Sequence, residues 1–344
     1  MSTPSETSVQ VLPKEHEGTR EISLAQAVNE ALAEELRRDP SVFVIGEDVA
    51  EAGTPFKVLS GLVEEFGRER VVDSPISEAG ITGLGLGAAM TGMRPIVDIM
   101  FGDFLTLVMD QLANQAAKIH YMSGGRLKAP LTVRTTLGAT RRSAAQHSQS
   151  LHAWVAHVPG LKVVLPATPY DAKGLLKTAI RDDSPVVFFE DKMMFATKGA
   201  VPDDEYALPF GVADVKRVGD DVTLVATSSM VYVALGAAEL LAADGVSAEV
   251  VDPRTLVPLD RAGLVASARK TGRVIVVDEG HQSYGASAEL AAVIADEAFW
   301  ELDAPVKRLA AMDVPVPFSP VLEDQTVPTA ETVYELAKSL VGKR

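Results

Sequence analysis

Short runs of valine, isoleucine and leucine alternate along this chain with amphipathic stretches about a dozen residues long. Such runs are typical of strands buried on both faces of a parallel sheet, and the stretches between them are typical of covering helices. The first half therefore predicts a parallel α/β domain. Its strands are predicted at Val42–Ile45, Arg70–Asp73, Ile96–Phe101, Leu131–Thr136, Lys162–Pro166 and Val186–Glu190. Its helices are predicted at Leu24–Arg38, Gly80–Gly92, Phe104–Ile119, Leu151–His157 and Pro169–Arg181.

The pattern breaks between Ala196 and Gly211, where apolar periodicity is lost and Pro202 and Pro209 flank an acidic cluster. This break predicts a connection between domains, followed by a smaller α/β domain. Strands are predicted there at Val222–Ala226, Ser247–Asp252, Val274–Asp278 and Val306–Ala310, and helices at Val231–Ala243, Leu259–Lys270, Gly285–Phe299 and Ala330–Leu340. The predicted division is a disordered tail at residues 1–18, a first domain at 19–200 and a second at 211–344.

Composition agrees with two domains, because 344 residues exceed the length at which a single hydrophobic core usually stops growing. The absence of cysteine excludes disulfides, thiolate zinc sites and a cysteine nucleophile. Residues 1–18 lack the apolar segment of a signal peptide, and we expect a cytoplasmic protein.

Charge and hydropathy argue against two classes of partner. No apolar run approaches the ~18 to 20 residues that a membrane span requires. A net charge of −15 repels a phosphate backbone, and the sequence has no stripe of basic and aromatic residues for nucleic acid. The acidity suits a basic protein partner, although a solvated acidic surface is the commoner explanation.

The segment from Val71 to Ala89 is the most informative part of the chain. It predicts a strand end, a turn held by Pro75, and a helix that begins near Glu78 with little side-chain bulk in its first turns. This arrangement presents the Glu78 carboxylate to a bound group that lies close to the backbone. The alternative is that Glu78 only favours the helix N-terminus, which contributes up to about 1 kcal/mol.

A dinucleotide fingerprint is matched in part by Gly83, Gly85 and Ala88, with Asp103 twenty positions after Gly83. The fingerprint needs its first glycine in the turn directly after a strand, whereas Gly83 lies ten positions after Asp73. We therefore expect these glycines inside a helix, and a nicotinamide dehydrogenase is a remote alternative. No Lys-Ser/Thr pair follows spaced glycines, so the phosphate loop of kinases is absent.

His147, His152 and His157 are spaced five positions apart, which rotates each by about 140° on a helix and places them on different faces. Metal binding by the three is therefore not expected. His147 lies in a small, polar stretch that follows a predicted strand, where α/β proteins bind ligands. There it could exchange protons near neutral pH, or it could be an ordinary loop histidine.

Six segments stand in a fixed order within residues 20–341: Gly46–Val49, Ser74–Glu78, Tyr121–Gly125, Ala145–Gln149, His157–Val164 and Tyr170–Leu176. In their order and their residues, these segments closely resemble the β chain of the decarboxylating component of 2-oxo acid dehydrogenase complexes. The resemblance implies a transketolase-like fold, in which a pyrimidine-binding domain for thiamine diphosphate precedes a transketolase C-terminal-like domain. It also implies an assembly of two α with two β chains, in which the smaller domain dimerises and docks on the acyltransferase.

The resemblance assigns site residues as well. In the family, the glutamate that matches Glu78 hydrogen-bonds to pyrimidine nitrogen 1′ and drives the tautomerisation through which the cofactor deprotonates its own thiazolium carbon 2. Phe104 matches the aromatic residue that stacks on the pyrimidine, and Phe101 is the nearby alternative. Glu47 is also expected to bind the cofactor. His147 matches a histidine implicated in acyl transfer to the lipoyl-lysine of the dihydrolipoyl acyltransferase.

The chain carries only half of such a site. It has no Gly-Asp-Gly motif followed by asparagine, with which a complete site binds magnesium and the diphosphate. The resemblance implies that the α partner supplies this half and holds most of the magnesium. The family also holds a structural potassium ion, largely through carbonyl oxygens, at positions that match Leu131, Ala179, Ile180, Asp182 and Ser184. An ordinary helix-to-strand turn explains this segment equally well.

The substrate stays open among pyruvate, branched-chain 2-oxo acids and acetoin. The segments Met100–Phe104 and Arg134–Gly138, with Arg141 and Arg142, replace strings usual in pyruvate-type chains and look more like the acetoin-cleaving branch. We expect a pyruvate dehydrogenase-type β subunit that takes part in oxidative decarboxylation and reductive acylation of lipoyl-lysine. The alternatives are an acetoin or branched-chain β subunit and, more remotely, a one-chain transketolase-like enzyme or a purely structural subunit.

Overall fold

The described residues form a seven-stranded and a five-stranded sheet with helices packed against them, together with a two-stranded sheet of β1 and β8, in agreement with the predicted α/β class. The computed structural model describes residues 19–342, so the tail predicted at residues 1–18 lies outside the described residues. We call residues 19–202 the amino-terminal domain and residues 214–342 the carboxyl-terminal domain. The strands are β1 (Thr19–Ser23), β2 (Val42–Gly46), β3 (Val71–Asp73), β4 (Arg94–Ile99), β5 (Thr132–Leu137), β6 (Lys162–Val164), β7 (Val186–Asp191), β8 (Lys198–Pro202), β9 (Asp214–Arg217), β10 (Val222–Ala226), β11 (Ala248–Asp252), β12 (Thr255–Val257), β13 (Val274–His281) and β14 (Lys307–Ala311). The α-helices are α1 (Leu24–Arg38), α2 (Leu62–Phe66), α3 (Glu78–Met90), α4 (Ala117–Met122), α5 (His152–Ala156), α6 (Pro169–Arg181), α7 (Met230–Ala243), α8 (Arg261–Thr271), α9 (Ala286–Glu297), α10 (Pro320–Glu323) and α11 (Ala330–Val341).

The larger sheet has seven strands in the order β12-β6-β7-β5-β4-β2-β3. All neighbours pair in parallel except β12, a short strand from the second half of the sequence that pairs antiparallel with β6. Parallel neighbours need crossover connections, which the helices between them supply. The carboxyl ends of β7, β5, β4, β2 and β3 consequently lie side by side along one edge.

Helices α1 and α6 begin and end where the sequence predicts. Ser23 and Gln26 form a reciprocal capping box at the start of α1. Thr168 caps α6 by accepting from the backbone N–H of Asp171, and Pro169 occupies the first helical position. Local capping chemistry therefore defines both helices, and their buried faces pack on the amino-terminal sheet.

The smaller sheet has five strands in the order β14-β13-β10-β11-β9, and β9 is its one antiparallel member. Helices α7 and α11 cover one face, and α8 and α9 cover the other. The inner strands β10, β11 and β13 are buried on both sides, as the continuous apolar runs predict, whereas the edge strands β9 and β14 are partly exposed.

Buried charges join the two domains. The Lys216 ammonium lies 2.6 Å from carboxylate oxygens of both Asp171 and Asp214, and Arg254 lies 2.8 Å from Asp171. Asp252 completes the group, and burial raises its pKa to about 7. Because a buried charge left without its partner is strongly destabilising, these contacts fix the domains against each other.

One predicted helix is wrong, and several short elements were not predicted. The single helix predicted at Phe104–Ile119 is a 3₁₀ segment at Gly102–Leu107, a π-helix at Asp110–Ala116 and then α4. Close packing explains the tight first turn, since a Cβ at Gly102 would lie 2.4 Å from the Thr136 carbonyl oxygen. The predicted connection Ala196–Gly211 contains β8, which pairs with β1. Four strands and two short helices, β1, β8, β9, β12, α2 and α10, were not predicted.

No helix within residues 19–342 combines the length and the apolar character needed to cross a bilayer.

Candidate functional site

Five neighbouring strands of the larger sheet end at one edge, and a chemically competent side chain follows each of them. In a parallel sheet, the carboxyl ends of the strands form the crevice in which ligands bind. The residues, in the spatial order of the strands β7, β5, β4, β2 and β3, are Lys192, His147, Phe101 with Phe104, Glu47 and Glu78. The structure therefore places every sequence-predicted residue for cofactor and acyl transfer at this edge.

Two carboxylates meet at the β2 and β3 end. Glu78 is the first residue of α3 and is 8% exposed. The backbone N–H of Ser77 donates a hydrogen bond to the Glu47 carboxylate, and both burial and the nearby charge of Glu78 raise the pKa of Glu47. Glu47 Oε1 is buried without a hydrogen-bond partner among the described residues. A buried acceptor beside a second carboxylate fits a ligand that donates hydrogen bonds from nitrogen.

Helix α3 approaches the sheet closely because its glycines lie in its interior. A Cβ at Gly85 would lie 2.5 Å from a methyl group of Val97 in β4. Gly83 and Ala88 also lie within α3, several residues after the turn that follows β3. Gly85 therefore serves packing, and neither Gly83 nor Gly85 forms the strand-end turn of a dinucleotide site.

An aromatic cluster surrounds His147. Its imidazole centroid lies 4.7 Å from that of the Phe101 ring and 5.5 Å from that of the Phe104 ring, with interplanar angles of 75° and 82°. Phe101 also packs edge-on against Phe56 at 5.8 Å. Edge-to-face contacts of this kind are favourable and orient the rings. The cluster thus holds one face of the crevice apolar and fixes the plane of the imidazole.

The segment from residue 138 to residue 150, which we call the His147 loop, is held by polar contacts. The backbone N–H and the side-chain amide of Gln149 donate to Asp103 Oδ1 at 3.2 and 2.9 Å. The Lys192 ammonium donates to the backbone carbonyl of His147. Arg141 donates at 3.2 Å to the carbonyl of Lys192. These contacts connect the loop to the ends of β4 and β7.

Lys192 is a site residue that sequence reasoning missed. Its side chain is 1% exposed, its nitrogen lies 5.5 Å from the Phe101 ring centroid, and burial lowers its pKa. A buried ammonium at the edge of a crevice is a functional candidate. The sequence does contain an indication of this role, because Lys192 follows the predicted strand Val186–Glu190 in the same way that the other site residues follow their strands.

A buried charge triad lies in the sheet beneath the crevice. The Arg134 guanidinium in β5 donates two hydrogen bonds of 2.7 Å to Glu190 in β7, and it also contacts Asp98 in β4. Burial raises the pKa of both Asp98 and Glu190. The triad crosses three adjacent strands and makes the floor of the crevice rigid.

The three histidines do not converge. His152 is buried, and its Nε2 lies 3.1 Å from Asp278 of the carboxyl-terminal domain. His157 lines a groove between the domains together with Trp154. Within residues 19–342, no group of three or more histidine, cysteine, aspartate or glutamate side chains is placed to hold a metal ion.

The positions predicted for potassium lie near one another at the end of α6. Arg94 donates to the carbonyl oxygens of Ile180 and Asp182 at 3.2 and 3.0 Å. The carbonyls of Ala179 and Leu131 accept backbone hydrogen bonds from Asp182 and Val186. Ser184 lies in the same turn, and its N–H donates to the Asp182 carboxylate. Each carbonyl oxygen keeps a second lone pair, but two of the four already accept from the Arg94 cation, so potassium binding at this turn stays a prediction.

Comparison with family models finds two matches. Residues 20–197 match the model described as "Transketolase, pyrimidine binding domain". Residues 211–333 match "Transketolase, C-terminal domain". The crevice described above lies on the part of the chain that matches the first model.

Individual relatives extend over most of the chain. The acetoin:2,6-dichlorophenolindophenol oxidoreductase subunit beta of Bacillus subtilis is 50% identical over 94% of this chain and 98% of its own length. The 2-oxoisovalerate dehydrogenase subunit beta of the same organism is 49% identical, over 88% and 93%. A mitochondrial pyruvate dehydrogenase E1 component subunit beta-1 of Oryza sativa is 45% identical, over 93% and 86%. The solved structure of a split gene transketolase, an inactive beta4 tetramer, aligns with a TM-score of 0.76 at 25% identity, over 94% of this chain and all of that chain.

Proposed function

Because this chain belongs to the family of β subunits of decarboxylating 2-oxo acid dehydrogenase components, we propose that it acts with an α partner as a pyruvate dehydrogenase-type β subunit. The family and the transketolase-like fold predicted from the sequence are confirmed. The chain is therefore part of an oxidoreductase. The proposed reaction is oxidative decarboxylation of a 2-oxo acid and reductive acylation of lipoyl-lysine on a dihydrolipoyl acyltransferase.

One observation carries the proposal: Glu47 and Glu78 are two adjacent carboxylates, and an oxygen of Glu47 is buried without a partner. Thiamine diphosphate, when bound, supplies the carbon centre at which a 2-oxo acid loses carbon dioxide. We assign Glu78 to the hydrogen bond at pyrimidine nitrogen 1′ and Glu47 to a second polar contact with the cofactor. Phe104 and Phe101 would supply an apolar wall beside the pyrimidine, which would exclude water and strengthen the hydrogen bonds of both carboxylates.

His147 is assigned to the second half of the reaction. Carbon dioxide leaves, and the electron pair that it leaves behind reduces the lipoyl disulfide. One sulfur becomes bonded to the acyl group and the other becomes a thiol, which requires a proton. An imidazole packed against Phe101 and Phe104 at the edge of the sheet is suited to deliver that proton.

The partner and the ions belong to the same proposal. Because the sequence lacks the Gly-Asp-Gly motif, we assign the diphosphate-binding half and most of the magnesium ligands to the α partner, in an assembly of two α with two β chains. The carbonyl set from Leu131 to Ser184 is assigned to potassium. The cytoplasmic location expected from the sequence stays a prediction.

Acetoin cleavage is a second candidate for the same site. It is favoured by the 50% identity with an acetoin oxidoreductase subunit over nearly the full length of both chains. The 49% identity with a 2-oxoisovalerate dehydrogenase subunit keeps branched-chain 2-oxo acids as a third possibility. All three substrates use the same residues of this chain, since much of the substrate pocket is assigned to the α partner.

The decisive experiment is coexpression with a candidate α chain, followed by thiamine-dependent assays on pyruvate, 2-oxoisovalerate and acetoin. We expect turnover of at least one of these substrates and none by this chain alone. Glu78→Gln should abolish turnover and weaken thiamine diphosphate binding measured by calorimetry, without changing the assembly on a sizing column. Glu64→Gln, in the first turn of the neighbouring helix α2 and exposed, is the matched control. Normal turnover by the Glu78→Gln enzyme would refute the assignment.

A further inference from the structure

The His147 loop has an unusual backbone. Thr140, Arg142 and Ala144 have φ angles of 64°, 61° and 60°, in the left-handed region that residues with a Cβ avoid. Three such residues within five positions form a strained segment. Backbone of this kind persists only where surrounding contacts hold it in place.

Part of what holds the loop comes from the other domain. The backbone N–H of Ala139 donates at 2.5 Å to Glu279 Oε1, at the end of β13. The Arg142 guanidinium donates at 2.8 Å to Glu323 Oε2 and at 2.7 Å to Asp324 Oδ1. All three acceptors belong to the carboxyl-terminal domain, whereas the crevice at the strand ends of the larger sheet belongs to the amino-terminal domain.

The Arg142 contact joins a guanidinium that is 37% exposed to a carboxylate that is buried. The side chain of Glu323 is fully buried, its Oε1 has no hydrogen-bond partner among the described residues, and Arg142 is the one cationic group within ion-pair distance there. A buried carboxylate depends on its counter-charge far more than an exposed one does. Asp324, which is 56% exposed, adds two further hydrogen bonds to the same guanidinium.

We propose that Arg142 is a positioning residue, through which the carboxyl-terminal domain holds the His147 loop over the active site by the contact with Glu323 and Asp324. The proposal deepens the proposed function and rests on it for the role of His147. The unfavourable φ angles of the His147 loop favour movement of the loop away from the crevice. The ion pair of Arg142 with Glu323 and Asp324 opposes that movement. Acyl transfer then depends on a contact between two domains, although the guanidinium does not itself touch the reacting atoms.

The first test measures the loop directly by amide hydrogen exchange on the full chain. Arg142→Ala should speed exchange of the amides between residues 139 and 147 by about tenfold or more, because local opening becomes easier. Arg142→Lys, which keeps one ion pair, should be intermediate. Arg37→Ala, which removes an exposed ion pair with Glu65 between α1 and α2, should leave the loop unchanged. Unaltered exchange in Arg142→Ala would overturn the proposal.

The second test uses the assembled enzyme. Arg142→Ala should lower lipoyl acylation about tenfold and the reaction with an artificial electron acceptor much less, with partial rescue in Arg142→Lys. Asp324→Asn, a milder change at an exposed position, should shift both readouts in the same direction. Faster exchange with undiminished acylation would refute the positioning role. Failure of the proposed function is distinguishable, since the wild-type assembly would then lack thiamine-dependent activity whatever the exchange experiment shows.

Discussion

The ring centroids of Phe101 and His147 lie 4.7 Å apart and the ring planes meet at 75°, so the imidazole packs edge-to-face with the side chain that follows β4. The two residues come from loops that follow neighbouring strands of the sheet. A protonatable group is thereby held beside an apolar wall, where its orientation is fixed by packing as well as by hydrogen bonds. Under the proposed function, the phenylalanines would contact the cofactor and His147 would deliver the proton.

His147→Ala should therefore separate the two half-reactions. Lipoyl acylation should fall by roughly 10²- to 10⁴-fold, the usual contribution of general acid–base catalysis. Decarboxylation measured with an artificial electron acceptor should survive much better. His120→Ala, at an exposed histidine on α4, is the matched control. Equal loss in both assays would show that His147 has no special role in acyl transfer.

The two phenylalanines should respond differently to truncation. Phe101 is already contacted by Phe56, His147 and Lys192, whereas Phe104 has ring contacts only with Phe101 and His147 among the described aromatic pairs. Phe104 is therefore the better candidate to stack on the pyrimidine. Phe104→Leu should weaken thiamine diphosphate binding ~3- to 10-fold, the size of an aromatic contact. Phe101→Leu should lower acyl transfer at nearly unchanged cofactor affinity, and the reverse result would exchange the two roles.

Local chemistry explains what the sequence predicted well. Helices α1 and α6 were predicted to the residue because Ser23 and Thr168 cap them and apolar residues recur at helical spacing. The failure at Phe104–Ile119 has the opposite cause. The apolar spacing there is helical, but the contact of Gly102 with the Thr136 carbonyl, distant in sequence, imposes a tighter turn. Tertiary contacts override periodicity at the point where the chain enters the site.

The missed site residues share a physical reason. Lys192 and Glu279 are buried ionisable groups whose partners lie 45 and 140 positions away, at His147 and Ala139. No local spacing encodes such contacts. The rule that site residues follow parallel strands would have found Lys192, because it comes directly after β7. It could not have revealed that Glu279 of the other domain reaches the same loop.

Lys192→Met tests the contact between this lysine and the backbone of His147. Methionine keeps the apolar packing on Phe101 but removes the donor, so acyl transfer should fall about tenfold because the loop is less well placed. Global stability should change little, since the lost hydrogen bond is offset by removal of a buried charge. Lys198→Met, at an exposed lysine of β8, is the control. An unchanged acylation rate would mean that Lys192 does not position the loop.

Removing the Arg134 charge from the triad beneath the crevice should lower the stability of the chain strongly. Arg134→Met leaves Asp98 and Glu190 buried together without a counter-charge, which should cost about 3 to 5 kcal/mol in urea unfolding. Adding Asp98→Asn and Glu190→Gln should restore much of that loss, because the neutral amides remove the repulsion. Arg37→Met, at an exposed pair, should change the free energy of unfolding by less than about 1 kcal/mol. A triple variant no more stable than Arg134→Met would contradict this electrostatic account.

The stability of the chain should depend on the protonation of Glu279. Burial and the neighbouring Asp191 raise the pKa of Glu279 well above its usual range, while the Ala139 N–H and the Ser229 hydroxyl donate to its carboxylate. The folded chain thus binds this proton more tightly than the unfolded chain does. The stabilisation is complete below the ordinary glutamate pKa and is lost as the pH rises through the raised value.

Glu279→Gln mimics the protonated acid, keeps a carbonyl for Ala139 and can donate to Asp191, so its stability should not decline in this window. The wild-type chain should lose up to about 1.4 kcal/mol per pH unit relative to the variant as the pH rises above the ordinary glutamate value. Urea unfolding of both proteins at several pH values gives the two slopes, with the exposed Glu64→Gln as the control. The nearby Asp278 acts in the opposite sense. Burial alone would raise its pKa, but His152 and Thr227 outweigh burial and lower it, so the stability that Asp278 contributes is lost as the pH falls. Parallel slopes for wild type and Glu279→Gln would show that the Glu279 carboxyl does not stay protonated between the two domains.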